Sequence, residues 1–203
     1  MTASRVILVR HGRTTWNADA RFQGQTDVPL DDVGVGQAQR TAGALYEQLV
    51  GTEVKIVSSD LSRAAQTARA LASRLHVEVT MDKRLREISY GQWEGRTRDE
   101  IMLAWPEEFE SWRRGTGEVR ITGGESRSEA AARCATAVVE AEEAMEHGTL
   151  VCVSHGGTLK GAIFALLDAP GMPWNAIEGL RNAHWAELQK TDRGWRLSRY
   201  NVC

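Results

Sequence analysis

Residues 6–17 read VILVRHGRTTWN, and this stretch decides the fold because a short apolar run ends in Arg10, His11 and Gly12. Four consecutive apolar residues are typical of a strand that is buried on both faces. Residues 149–157, TLVCVSHGG, repeat the pattern with His155 directly after a second apolar run. Parallel strands bring such ends to one edge of a sheet, so the sequence predicts that both histidines lie there.

The rest of the chain alternates between strand and helix patterns. This alternation predicts an α/β three-layer sandwich, in which a mostly parallel central sheet carries helices on both faces. The predicted strands are 5–9, 54–58, 77–80, 149–153, 183–189 and 196–200, the last two forming a hairpin, and the predicted helices are 34–49, 61–75, 98–114, 126–147 and 158–167. Asp60 is a predicted N-cap and Gly148 a predicted C-cap.

The net charge, the apolar runs and the cysteine content of the sequence argue against several classes of protein. Lysine and arginine number 25 against 27 aspartate and glutamate residues, a net charge of -2, which argues against nucleic acid or a membrane surface as a partner. No apolar run reaches membrane-spanning length, and residues 1–4 show no signal-peptide pattern. Three cysteines without a CxxC spacing fit a reducing compartment, so we expect a cytoplasmic protein.

Six segments, in this order, resemble the histidine phosphatase superfamily, the phosphoglycerate-mutase-like proteins. They are RHGRTTWN (10–17), FQGQTDVPL (22–30), SSDLSRAAQTA (58–68), LREISYGQWEG (85–95), GGES (123–126) and VSHGG (153–157). Each segment alone is a weak motif, whereas all six in order are specific. The resemblance implies a single domain over residues 1–203, with residues 89–124 as a small helical insertion that caps the site.

The resemblance also implies the chemistry. His11 is the nucleophile that takes the phosphoryl group, and Glu87 first protonates the leaving oxygen and then activates water. Arg10, Arg63 and His155 surround the phosphoryl oxygens, and the arginines help to keep the nucleophile neutral. No cofactor and no metal is expected, because the arginines supply the positive charge.

Further positions are implied to bind the substrate. The polar side chain of Asn17 and backbone donors near Gln23, Gly24 and Gly156 are expected to hydrogen-bond the phosphate. Four other residues resemble the positions with which mutases hold a phosphoglycerate, namely Tyr90, Arg98, Arg113 and Arg114. The alternative for the arginines is a solvated helix face. Glu94 competes with Glu87 as the candidate acid.

The reaction and the substrate need separate arguments. Ile88-Ser89 follows Glu87 where mutases carry Arg-His, and Gly157 stands where mutases carry Asn, so a phosphatase is favoured. The first alternative is a cofactor-dependent phosphoglycerate mutase, and a less favoured one is a non-catalytic phospho-ligand binding protein.

The substrate is expected to be a small phosphorylated metabolite with a carboxylate or a sugar. Residues 173–182 with the late hairpin resemble glucosyl-3-phosphoglycerate phosphatases. The alternatives are a broad-specificity phosphatase for sugar phosphates or phosphoglycerates, an α-ribazole phosphatase and a nucleotide-linked role. The hairpin either extends a sheet across a homodimer or is a covered edge, and the pattern leaves both open.

Overall fold

The computed structural model describes residues 5–115, 117–169 and 171–203, which are built around one sheet. Its strands are β1 (Arg5–Arg10), β2 (Val54–Ser58), β3 (Val79–Met81), β4 (Thr149–Ser154), β5 (Trp185–Thr191) and β6 (Gly194–Val202). The strand order is β3-β2-β4-β1-β5-β6. The pairs β3–β2, β2–β4 and β4–β1 are parallel, and β5 and β6 are antiparallel additions at one side. The predicted mostly parallel sheet is therefore confirmed.

Helices cover both faces of this sheet. They are α1 (Thr15–Ala18), α2 (Asp32–Leu49), α3 (Ser62–Leu75), α4 (Arg98–Ala104), α5 (Pro106–Arg114), α6 (Arg127–Glu143) and α7 (Gly156–Leu166). Leu8 and Cys152 pack with α6 and α7 on one face, whereas Ile7 and Val151 pack with α2 and α3 on the other. Alternation along a strand sends neighbouring side chains to opposite faces, which builds the three predicted layers.

The predicted single helix over residues 98–114 is wrong, because two helices meet there. Trp105 has φ −139° and ψ 60°, which is outside the helical region. Pro106 follows it and begins α5. Proline lacks an N–H group and disfavours the helical conformation of the preceding residue, so the first helix ends before it.

Two of the predicted caps are also wrong. Asp60 does not cap α3, since its carboxylate accepts hydrogen bonds from Arg86 at 2.7 and 2.6 Å and Leu61 stands at the N-cap. The helix α6 ends at Glu143, four residues earlier than predicted. Gly148 instead belongs to the turn before β4, with φ +96°, and a Cβ there would lie 2.4 Å from the Glu53 carbonyl oxygen.

Residues 89–124 have a small hydrophobic cluster of their own. Trp93, Ile101, Phe109 and Ile121 are buried in it. Phe22 packs against the cluster from outside the segment, and its N–H donates to the Arg96 carbonyl at 2.9 Å. This contact places the segment next to the loop that follows α1. Among the described residues, no helix combines the length and hydropathy needed to cross a membrane.

Candidate active site

The sheet brings the two strand-end histidines together. Because β1 and β4 are parallel neighbours, their carboxyl ends are adjacent, and the His11 N–H donates to the Ser154 carbonyl at 3.0 Å. The ring centroids of His11 and His155 lie 5.0 Å apart. The exposed fractions of the two residues are 2% and 0%. The predicted placement at the carboxyl edge is confirmed.

The His11 ring has one free nitrogen. Its Nδ1 atom lies 2.6 Å from the Gly12 carbonyl oxygen, which only accepts hydrogen bonds, so Nδ1 carries the proton. The Nε2 lone pair remains available. Burial, together with the positive charges of Arg63 and Arg10, lowers the pKa of His11 well below its ordinary value. The imidazole is therefore neutral near pH 7, as a nucleophile must be.

Two arginines act on this ring through their positive charge, and neither forms an ion pair with a carboxylate of the described residues. Arg63, in the first turn of α3, donates to the Thr26 carbonyl at 2.9 Å and the Gly24 carbonyl at 2.7 Å. Burial lowers the pKa of Arg63 to about 10. Arg10 donates to the Leu180 carbonyl at 2.7 Å, while its buried Nε has no hydrogen-bond partner among the described residues. Carbonyls orient both guanidinium groups, so their charge remains available to a bound anion.

His155 lies behind these groups rather than in the cavity wall. Its Nδ1 accepts a hydrogen bond from Arg63 Nε at 3.2 Å, and its Nε2–H donates to Ser59 Oγ at 2.9 Å. Burial is the main reason that the pKa of His155 lies well below its ordinary value. In this arrangement the second histidine holds Arg63 in place, whereas the sequence predicts a direct contact with phosphoryl oxygens.

The start of α7 orients Glu87. Its Oε1 accepts from the N–H and the hydroxyl of Thr158 at 2.8 and 3.0 Å, and its Oε2 accepts from the Gly157 N–H at 3.2 Å. A Cβ at Gly157 would lie only 3.0 Å from Oε1, so glycine permits this approach. The competing candidate, Glu94, accepts instead from the N–H groups of Gln25 and Thr26 and holds that loop.

Two amide side chains present donors to the same space. The Thr14 N–H donates to Asn17 Oδ1 at 3.2 Å, and the Thr14 hydroxyl donates to Gln23 Oε1 at 2.9 Å. These contacts engage the carbonyl oxygens, and neither NH₂ group has a hydrogen-bond partner in the described part of the chain. Gly24 follows with φ +53°, and a Cβ there would lie 2.0 Å from Glu94 Oε1, so only glycine fits.

These groups line a cavity of about 450 Å³, within the usual range for small-molecule sites. Its lining contains four basic side chains and one carboxylate, Glu87. The lining residues are Arg10, His11, Asn17, Ala20, Arg21, Phe22, Gln23, Gly24, Arg63, Glu87, Tyr90, Gly156, Gly157, Lys160, Trp174, Gly179 and Leu180. In the part of the chain that the structure describes, no group of three or more His, Cys, Asp or Glu side chains is placed to hold a metal ion.

The structure does not bring Arg98, Arg113 and Arg114 into this cavity. The guanidinium carbon of Arg98 lies 5.4 Å from the centre of the Phe109 ring. Arg113 and Arg114 are exposed and both pair with Glu110, the former at 2.8 Å. Their surroundings match the alternative, a solvated helix face. Tyr90, by contrast, lines the cavity, and burial raises its pKa.

Sequence reasoning missed several residues at the site, among them Arg21, Asn182, Lys160 and Trp174. Asn182 donates to the His11 carbonyl at 3.1 Å and to Asn17 Oδ1 at 3.1 Å. Lys160 and Trp174 form part of the cavity wall. Lys160 carried a usable signal, because it is the lone charged residue in the otherwise apolar stretch GGTLKGAIFAL. Asn182 and Trp174 belong to the loop before β5, which has no periodic pattern.

Comparisons with known proteins agree with this geometry. The sequence model of the histidine phosphatase superfamily (branch 1) matches residues 6–203. A glucosyl-3-phosphoglycerate phosphatase from Mycolicibacterium vanbaalenii is 36% identical, over 100% of this chain and 96% of its own length. A probable phosphoglycerate mutase GpmB from Salmonella paratyphi C is 36% identical, over 98% of this chain and 90% of its own length. The solved structure of a mycobacterial glucosyl-3-phosphoglycerate phosphatase complexed with VO3 has a TM-score of 0.88 and 36% identity, covering 99% of this chain and 100% of that one.

Proposed function

This chain belongs to the histidine phosphatase superfamily, branch 1. On that premise we propose that it hydrolyses glucosyl-3-phosphoglycerate to glucosylglycerate and phosphate. The chain is a phosphatase and binds a phosphorylated substrate. Our proposal concerns which phosphorylated compound this substrate is. Relatives with this activity match the chain over its full length, and the cavity of about 450 Å³ is large enough for a phosphate ester that carries a sugar.

In the proposed mechanism, His11 Nε2 attacks phosphorus and the bond between phosphorus and the ester oxygen breaks. Glu87 gives its proton to the leaving oxygen, which departs as an alcohol. Water then attacks the phosphohistidine, and Glu87 takes up a proton from that water. The N–P bond breaks, phosphate is released and the free imidazole returns. Arg10 and Arg63 stabilise the charge on the transferring group.

The remaining cavity residues are proposed to position the substrate. The NH₂ groups of Asn17 and Gln23 and the backbone near Gly24 surround the phosphoryl oxygens. The N–H of Gly156 adds the positive end of the α7 dipole. Tyr90 borders the leaving group.

The observation that most directly supports this mechanism is the state of the nucleophile. His11 donates its Nδ1–H to the Gly12 carbonyl at 2.6 Å, next to two desolvated arginines. This contact fixes the tautomer whose Nε2 is a nucleophile. The mutase alternative has less support. A mutase must hold a bisphosphorylated intermediate, and the arginines expected to do so lie outside the cavity.

A substrate panel tests the proposal. Phosphate release is measured with chelator present on glucosyl-3-phosphoglycerate, 3-phosphoglycerate, sugar phosphates, α-ribazole phosphate and an aryl phosphate. We expect the highest kcat/KM on glucosyl-3-phosphoglycerate. Equal values on every ester would indicate a generalist and overturn the proposed substrate. Conversion of 3-phosphoglycerate to its isomer with little phosphate release would indicate a mutase.

We further propose a single domain in which residues 89–124 form the cap of the site. The cluster around Trp93 supports this, because Tyr90 and Phe22 pack against it and also line the cavity. Limited proteolysis with and without inorganic phosphate tests the cap, which should become protected when phosphate is bound.

A homodimer formed through β6 is proposed from its position at the side of the sheet, where it pairs with β5. Sedimentation of the full chain tests this assembly.

Free thiols at Cys134, Cys152 and Cys203 support the proposal that the protein works in the cytoplasm. Fractionation of the native host tests the location.

A further inference from the structure

The four basic side chains of the cavity, Arg10, Arg21, Arg63 and Lys160, differ in the partners that they already have. Arg10 and Arg63 lie beside His11, where the phosphoryl group would bind. Arg21 donates to the Gly95 carbonyl at 2.7 Å and lies 3.5 Å from a carboxylate oxygen of Glu100. Lys160 has no ion-pair partner among the described residues. It is therefore the basic group that remains for a second anion.

Helix α7 directs Lys160 towards the cavity. Lys160 follows Gly156 by four residues and Gly157 by three, so it lies on the same face of α7 as both glycines, and all three residues line the cavity. The Lys160 side chain is anchored, since its Nζ donates to the Ile177 carbonyl at 2.7 Å. An ammonium group has three hydrogens, so others remain for a ligand. An exposed fraction of 7% means that little water competes for them.

The surroundings of Lys160 are cationic and partly apolar. Its Nζ lies 5.2 Å from the centre of the Trp174 ring, and the guanidinium carbon of Arg127 lies 4.6 Å from the same ring. Arg127 is 4% exposed, and its Nε has no hydrogen-bond partner among the described residues. Burial and the charge of Arg127 lower the pKa of Lys160. An anion bound here would relieve the repulsion between two desolvated cations.

We propose that Lys160 binds the carboxylate of the substrate and thereby determines its specificity, with the Trp174 indole as the adjoining wall for the sugar. This inference rests on the proposed function, because it assigns a site to the second charged group of that ester. A charge-assisted hydrogen bond from a buried ammonium is stronger than one made in water. The exposed arginines of α5, already paired with Glu110, offer no comparable site.

The variant Lys160→Met tests the assignment, because methionine keeps much of the side-chain volume and removes the charge. Two small esters are compared, 3-phosphoglycerate and glycerol 3-phosphate, which differ in the carboxylate. For the carboxylated esters, including glucosyl-3-phosphoglycerate, we expect KM to rise by on the order of 10-fold to 100-fold, with kcat changed much less. For glycerol 3-phosphate, KM should stay within about twofold.

Two further variants serve as controls. Lys83→Met makes the same substitution at an exposed lysine outside the cavity lining, and it should leave both esters unchanged. Lys160→Arg keeps the charge and should retain most of the preference for the carboxylated ester. Circular dichroism and thermal unfolding of each variant report, independently of turnover, that the protein is folded.

The outcomes separate this inference from the proposed function. If Lys160→Met weakens both small esters equally, or neither, the lysine does not read the carboxylate and the inference is overturned. If the wild-type enzyme prefers carboxylated esters through Lys160 but ignores glucosyl-3-phosphoglycerate, only the proposed substrate fails. If it prefers glucosyl-3-phosphoglycerate and Lys160→Met keeps that preference, only the inference fails.

Discussion

Arg63, in the first turn of α3, and Arg113, in α5, have the same side chain in opposite surroundings. Arg63 is fully buried and is held by the carbonyls of Gly24 and Thr26. Arg113 is exposed and its charge is already neutralised by Glu110. A guanidinium that is desolvated and held by carbonyls can gain a strong partner when an anion arrives. One that is solvated and paired with a carboxylate must first give up that partner, so it gains little.

The variant His11→Ala tests the strand-end region and should have the largest effect. With the proposed nucleophile gone, kcat/KM should fall by on the order of 10^4 or more on alkyl and aryl esters alike. Phosphate release is the measurement, together with trapping of acid-labile label on the protein. His147→Ala, at a histidine that is 72% exposed, is the matched control. Substantial hydrolysis by His11→Ala would exclude the phosphohistidine mechanism.

The variant Glu87→Gln separates the proposed acid from the loop-holding Glu94. Loss of a general acid should slow alkyl esters by roughly 10^2 to 10^3, and aryl esters much less, because a phenolate leaves without a proton. The kcat values of one alkyl and one aryl phosphate are compared. Glu94→Gln should instead affect both esters alike, since its contacts with Gln25 and Thr26 hold the loop. If Glu87→Gln slows the alkyl and the aryl ester equally, Glu87 is not the general acid.

The buried histidines predict a pH dependence of stability. Burial lowers the pKa of both His11 and His155 in the folded protein, so both stay neutral there. The unfolded chain binds a proton at each below about pH 6.5. The free energy of unfolding should therefore drop as pH falls from 7 to 5, by up to about 1.4 kcal/mol per pH unit for each histidine.

Urea unfolding of the wild type and of His155→Gln measures this effect. Removal of one buried imidazole should reduce the slope of the unfolding free energy against pH below pH 6.5. The expected reduction is the contribution of one proton, about 1.4 kcal/mol per pH unit. An unchanged slope would mean that His155 is protonated alike in the folded and unfolded states, and would contradict the desolvated environment described for the strand ends.

The two arginines of α5 should show the smallest effect. Arg113→Ala and Arg114→Ala are expected to change KM by no more than about twofold for a carboxylated ester and for an aryl phosphate, because both side chains are exposed and paired with Glu110. The two substrates to compare are 3-phosphoglycerate and an aryl phosphate. A selective tenfold rise for the carboxylated ester would show that α5 reaches the substrate, as the resemblance to mutases implies.

Much of the site could be predicted from the sequence. The apolar runs before His11 and His155 are local signals, and the parallel geometry of neighbouring strands then places both rings at one edge. Glu87 and Arg63 lie within the short segments that resemble the family. The errors arise where local patterns compete. Pro106 interrupts a helical periodicity, and Asp60 pairs with Arg86 across the fold instead of capping its own helix.

The sequence by itself determined the alternation of strand and helix patterns, the family and the residue types at the strand ends, because these depend on short-range periodicity and local motifs. Only the tertiary structure decided which basic side chains line the cavity. In the sequence Arg113 resembles a substrate-binding position and Lys160 does not, yet Arg113 is exposed beside Glu110 and Lys160 lines the cavity beside Trp174. Burial and long-range pairing set that difference, and the lone charge of Lys160 in an apolar helix is a local signal for only part of it.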